Sequence, residues 1–180
     1  MIEIRLHGLG GQGIVTAAEI LATAFFYEGN FAQAVPLFGV ERRGAPVEAF
    51  IREDKKIIRL RSQIYNPDKI IIFSDHQLIL DIAQIGAKPT TEFFVYSDKS
   101  KEELSQKLKT KNIFVISKNE LEKNIKNVRV INTAILSYFI SQTKLASLSS
   151  INKAIKNKFS SEIATSNIEA TKIGFQMTKK

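Results

Sequence analysis

Residues Gly8-Leu9-Gly10-Gly11-Gln12-Gly13 are the part of this chain whose types and spacing point most directly to chemistry. Glycines let the backbone take positive φ and let a ligand approach the main chain with no Cβ in the way. A strand-like run, residues 2–6, comes before them, and a helix-like run, residues 14–26, follows. In that setting the first N–H groups of the helix have no partner and face the turn, and the helix dipole adds to their pull on an anion. The spacing of Gly8, Gly10 and Gly13 also satisfies the dinucleotide fingerprint G-x-G-x-x-G. That reading needs a ribose-binding carboxylate at the end of the second strand, about 20 residues on. The expected strand, residues 31–35, ends in Val35-Pro36, and Glu28 falls at the end of the helix instead. NAD is thus the weaker reading of the turn, and a third is that the glycines serve only tight turning and close helix–strand packing.

A second candidate is the loop 36–46, where prolines and glycines flank Glu41-Arg42-Arg43 and hold their charges on a fixed frame. Arg42, Arg43, Arg52, Arg59 and Arg61 follow one another closely, and guanidinium groups contact phosphate or carboxylate through two parallel hydrogen bonds. Arg42 and Arg43 suit a cofactor phosphate or a subunit interface equally, since Arg is enriched at both. Glu41 is an acceptor for loop amides, a partner for Arg43 or a contact to another subunit. Gln12 either bonds a ligand or stabilises the turn. His7, at the end of the first strand, and His76, beside Asp75, are each read as a ligand contact or as a structural residue.

Composition narrows the function further. The formal charge of +8 admits anionic partners. However, the lysines after Lys99 are interleaved with Asn, Ser and Glu as on solvated helix faces, and no zinc-finger spacing or aromatic RNA-binding signature accompanies them. No nucleic acid is expected. With no cysteine and two histidines, the chain offers no disulfide, no thiolate nucleophile, no cysteine-held iron–sulfur cluster and no obvious transition-metal site. No run of about 18 apolar residues marks a membrane span, and the amino terminus reads as a strand. A cytoplasmic location is expected.

The elements that must position these residues alternate in type. Strands are expected at residues 2–6, 31–35, 47–52, 56–60, 70–73, 92–96 and 113–117, with 47–52 and 56–60 forming a hairpin. Helices are expected at 13–27, 78–85, 99–108, 133–143, 149–158 and 161–176, with Ser74-Asp75 offering capping side chains to the second. The pattern predicts one α/β domain over residues 1–180, a three-layer α/β/α Rossmann-like architecture with a mixed, mainly parallel sheet.

The glycine turn followed by Thr16-Ala17-Ala18-Glu19-Ile20-Leu21-Ala22 is similar to the amino terminus of 2-oxoacid:ferredoxin oxidoreductase gamma subunits. The run Pro36-x-Phe38-Gly39-Val40-Glu41-Arg42-Arg43-Gly44-Ala45-Pro46-Val47, followed by Ile58-Arg59-Leu60-Arg61-Ser62, resembles the pyruvate and branched-chain members. Asp75, Asn132-Thr133-Ala134, Ser147-Leu148 and Asn167-Ile168-Glu169-Ala170 extend the likeness over essentially the whole chain. The resemblance implies one subunit of an enzyme that oxidatively decarboxylates pyruvate to acetyl-CoA, CO2 and reduced ferredoxin. A ketoisovalerate-type enzyme and a stand-alone nucleotide-binding protein are its alternatives. It implies alpha, beta and delta partner subunits that carry thiamine diphosphate, Mg and the iron–sulfur clusters, with ferredoxin reached through the complex. For this chain it implies no catalytic residue and no metal, but a role in coenzyme A binding and assembly. Gly8, Gly10, Gly11, Gln12, Gly13, Arg42 and Arg43 are the cofactor-binding residues it points to. Position 9 is Leu where many relatives carry Arg, and the stretch 99–127 matches no family motif. An isolated copy is expected to form a homodimer through surfaces its partners would cover.

Overall fold

The structure, a computed structural model, describes residues 1–37, 44–125 and 127–177. Six strands form one sheet in the order β2-β3-β1-β4-β5-β6: β1 Ile2–Leu9, β2 Phe31–Leu37, β3 Pro46–Asp54, β4 Lys69–Ile72, β5 Glu92–Tyr96 and β6 Ile113–Ile116. Strand β3 is antiparallel to both β1 and β2, while β1, β4, β5 and β6 pair in parallel. The sheet is therefore mixed and mainly parallel.

Side-chain alternation along the strands builds a layer on each face. Ile4, Leu6, Ala49, Ile51, Ile71 and Phe94 face one layer, made of α1 Ile14–Tyr27, α4 Lys118–Asn124, α5 Ile131–Thr143, α6 Leu148–Lys158 and α7 Ser161–Gln176. Ile70, Ile72, Phe93 and Val95 face the other, made of α2 Gln77–Ala83 and α3 Lys101–Leu108. The continuous apolar runs of β4 and β5 are what strands covered on both faces require. Phe94 anchors the first layer, stacked on Phe114 and edge-on to Phe139, both at 4.8 Å between ring centroids.

The expected hairpin of 47–52 with 56–60 does not form. Both edges of β3 are taken, one by β1 and the other by β2, so residues 57–60 have no edge to join and carry no regular structure. The arginine cluster divides for a related reason. Arg52 is 2% exposed, its Nε donates to Glu3 Oε1 at 2.8 Å, and its two Nη atoms donate to the Ser62 and Gln63 carbonyls. It fastens the β3–β4 connection and is no anion ligand, whereas Arg59 and Arg61 are exposed. Arg5 does the matching task for α2, donating to the carbonyls of Ala83 and Ile85 at the carboxyl end of that helix, where a cation also suits the helix dipole.

Two elements lie where no helix is expected: α4, and the short 3-10 turn Val128–Val130 leading into α5. Helix α4 has a single buried residue, Leu121, so it shows almost no apolar periodicity. Its start is nevertheless written locally, because Ser117 Oγ accepts the Glu120 N–H in a Ser-x-x-Glu arrangement. No helix of the described residues is long and apolar enough to cross a membrane.

Candidate functional site

Because β1, β4, β5 and β6 are parallel, the segments that follow them, beginning at Gly10, Phe73, Ser97 and Ser117, gather at one edge of the sheet. In open α/β sheets this carboxyl edge is where ligands collect. The flanks of the Glu41-Arg42-Arg43 loop, Leu37 and Gly44–Pro46, end at the same edge, since Leu9 pairs with Pro46 and Gly10 N–H donates to the Ala45 carbonyl at 2.8 Å. Residues 38–43, with Glu41, Arg42 and Arg43, lie outside the described residues.

The five described candidates divide into support and surface. Gly8 belongs to β1, where it pairs with Val47, and a Cβ there would stand 2.5 Å from Ile14 Cδ1, so its smallness serves strand–helix packing. Gly10 uses its N–H on Ala45, and its carbonyl accepts from Gly44 N–H. Gln12 folds back on the turn: its Oε1 accepts the Leu9 N–H at 2.7 Å and its Nε2 donates to the Phe73 carbonyl at 3.0 Å. Gly11 and Gly13 have φ of 95° and 74°, in the left-handed region that favours glycine, and both line crevices.

Gly13 is the N-cap of α1, and no side chain caps that helix end; its first turn holds no acidic residue. The leading N–H groups of α1 have no acceptor within the helix. Asn132, at the start of α5, reaches back and donates from Nδ2 to the Gly13 carbonyl at 3.3 Å. It stands between two crevices. One, about 320 Å³, is lined by Gly11, Gln12, Phe73, Tyr96, Lys118 and Glu122. The other, about 470 Å³, is lined by Gly13, Thr16, Asn127, Arg129, Glu162 and Ser166. A larger cavity, about 790 Å³, opens at the opposite edge near Pro89 and Asn112, far from the glycine turn.

Asp75 organises the first crevice's outer wall and is not a helix cap. The N-cap of α2 is His76, which makes no side-chain cap bond. Asp75 Oδ2 accepts from Ser97 Oγ at 2.7 Å and Lys99 Nζ at 3.0 Å, and Oδ1 lies 3.9 Å from Lys118 Nζ. Burial pushes this carboxyl up, but Ser97, Lys99 and Lys118 outweigh it and hold its pKa below the usual carboxylate value. Lys118 Nζ also sits 5.6 Å from the centre of the Tyr96 ring, whose hydroxyl donates to Glu122 Oε1 at 2.7 Å. Lys118 lies in the lysine- and asparagine-rich stretch 99–127 that carries no motif, and Arg129 just beyond it in the short 3-10 turn Val128–Val130, so no sequence signal marks either one.

His7 is not at the turn. It lies inside β1 on the α2 face, paired with Ile72 and Glu48, 1% exposed, with Nδ1 3.7 Å from Glu48 Oε1 and a partnerless, buried Nε2. Burial first, and Arg5 second, lower its pKa to about 3, so the imidazole is neutral near pH 7. The unfolded chain protonates this group near pH 6.5 and the folded one does not, so stability is lost as pH falls below 6.5 at up to about 1.4 kcal/mol per unit. Between pH 6.5 and 4.5, thermal unfolding of His7→Leu is expected to fall less steeply with pH than that of the wild type. Parallel slopes would show that His7 is not the acid-sensitive group.

A mixed, mainly parallel sheet with helices on both faces, and a glycine turn leading into an uncapped helix start at its carboxyl edge, defines an open α/β protein of the kind in which ligands collect at that edge. This chain belongs to the pyruvate ferredoxin/flavodoxin oxidoreductase family, whose model matches residues 3–177. It is 43% identical over 181 residues to the pyruvate/ketoisovalerate oxidoreductases common subunit gamma of Pyrococcus furiosus, covering 99% of this chain and 98% of that one. Its fold superposes on the crystal structure of pyruvate oxidoreductase subunit PORC from Thermotoga maritima with a TM-score of 0.80 at 28% identity, covering 97% of this chain and 95% of that one. A 2-oxoglutarate:ferredoxin oxidoreductase from Magnetococcus marinus, solved with 2-oxoglutarate, coenzyme A and succinyl-CoA, has the same fold within a longer chain: TM-score 0.79, 20% identity, 99% of this chain and 31% of that one.

Proposed function

We propose that this chain is the gamma subunit, one domain over residues 1–180, of a complex that oxidatively decarboxylates pyruvate to acetyl-CoA and reduces ferredoxin. Its carboxyl-edge turn would receive the phosphate groups of coenzyme A. The observation that carries this reading is the uncapped start of α1, with left-handed Gly13 at its N-cap and Thr16 and Arg129 beside it, in a chain matched to the family over nearly its whole length.

The residues fit such a group. Backbone N–H groups free of intrahelical partners supply donors, glycines leave the main chain open to close approach, and Arg129 and Lys118 bring positive charge. Each crevice also holds one glutamate with a local partner: Glu122 accepts the Tyr96 hydroxyl, and Glu162 lies in the first turn of α7, where the dipole favours a carboxylate. Coenzyme A supplies the thiol that takes up the acyl group. This chain's residues would bind its nucleotide end and fix where the thiol arm leaves the surface. With no cysteine in the chain, iron–sulfur clusters held by thiolates belong to partner subunits, as does thiamine diphosphate.

The test is purification from the native source with identification of the associated chains, followed by an assay of pyruvate- and coenzyme-A-dependent reduction of a low-potential acceptor. Co-purifying subunits with that activity support the reading. A chain isolated without partners, or a complex active only on a branched-chain 2-oxoacid, refutes it.

A further inference from the structure

The turn separates two crevices, and each presents one cation. Arg129 faces the side of Gly13 and Thr16, and Lys118 faces the side of Gly11 and Gln12, with the Asn132 side chain between them. One phosphate group needs only one such side. A ligand with two separate anionic groups would use both, and coenzyme A carries two: the diphosphate and the 3′-phosphomonoester of its ribose.

The two sides differ in what else they supply. The Gly13 side has the leading N–H groups of a 14-residue helix together with the Thr16 hydroxyl, the donor array that suits a diphosphate with several oxygens to satisfy. Arg129 lines the same side, and its guanidinium adds a planar fork of donors to that array. The Lys118 side has a single ammonium. It is held over Tyr96 and only loosely by Asp75 Oδ1, at 3.9 Å, while Ser97 and Lys99 bind Asp75 Oδ2. Glu122, the acidic group on that side, is engaged by the Tyr96 hydroxyl. A loosely tethered lysine is a point charge able to turn toward a compact monoester.

Resting on the coenzyme A reading above, we propose that Lys118 binds the 3′-phosphate of coenzyme A and makes this subunit select the cofactor over its 3′-dephospho form, while Arg129 and the α1 start take the diphosphate. Asp75 and Tyr96 are positioning residues that aim the ammonium across the crevice.

The experiment compares coenzyme A with 3′-dephospho-coenzyme A in the intact complex, for the wild type and for Lys118→Met, Lys118→Arg and Arg129→Met. The wild type should show a lower KM for coenzyme A. Lys118→Met should raise that KM about tenfold, the effect of one charge-assisted hydrogen bond, and leave the KM for the dephospho form unchanged. Lys118→Arg should restore the preference, and Arg129→Met should raise both constants alike. A wild type indifferent to the 3′-phosphate, or a Lys118→Met that moves both constants or neither, overturns the assignment. Gly13→Ala in the same assay separates the two levels: if it weakens both cofactors while Lys118→Met does nothing, only this inference fails, and if no variant changes the response to either cofactor, the coenzyme A reading fails with it.

Discussion

Gly174→Ala is expected to lower the stability of this chain by about 2–3 kcal/mol, among the largest losses available to a single added methyl group. Gly174 lies within α7 where that helix crosses α5, and a Cβ built on it would stand 2.1 Å from the Ala134 carbonyl oxygen and 2.5 Å from Ser137 Oγ. The nearer atom is backbone, so no rotamer change relieves the clash and the helices must part. Alanine is the better helix former by about 1 kcal/mol, but overpacking costs about 1–3 kcal/mol and occasionally more, a backbone clash this close stands at the upper end of that range, and the second effect wins. In a protein of this size the melting temperature should drop by roughly 5–10 °C. Gly29→Ala is the control. Its φ is 80°, yet nothing lies within 4 Å of its Cβ, so only the left-handed conformation is penalised, by about 1–2 kcal/mol. A Gly174→Ala protein melting no lower than Gly29→Ala would contradict the close α5–α7 crossing.

Gly13→Ala should have the largest effect on the cofactor with a smaller one on the fold. Its φ of 74° costs a non-glycine residue about 1–2 kcal/mol. Its Cβ would lie 2.6 Å from Asn132 Nδ2, but that atom ends a side chain and can swing away. In moving it gives up its bond to the Gly13 carbonyl and enters one of the two crevices it now separates. The complex should therefore assemble, with KM for coenzyme A raised at least about tenfold and kcat at saturating cofactor little changed, the pattern of an interaction made equally in ground and transition states. An unchanged KM would place the cofactor elsewhere, and lost assembly would make the turn an interface.

The layers and the turn were legible because their signals are local. Ile70-Ile71-Ile72 and Glu92–Tyr96 read as strands from apolar runs of the right length, and α1 from its composition after a glycine turn. What was illegible depends on contacts distant in sequence. Nothing near Arg52 announces that Glu3 and the Ser62 carbonyl will bury it, and nothing near residues 56–60 shows that β1 has taken the edge they would need. Asp75 looked like a helix cap because Ser74-Asp75 precedes α2, but Ser97 and Lys99 arrive from the next crossover and claim it. Lys118 and Arg129 became site residues only when β6 and α5 brought them to either side of Asn132.

The most direct test of the central claim is hydrogen–deuterium exchange on the intact complex with and without coenzyme A, read on peptides spanning residues 11–16. Exchange there should slow when coenzyme A is added, because the leading N–H groups of α1 gain an acceptor, and the Asn112 edge of the sheet should not respond. Unchanged exchange at residues 11–16 under saturating coenzyme A would contradict the account.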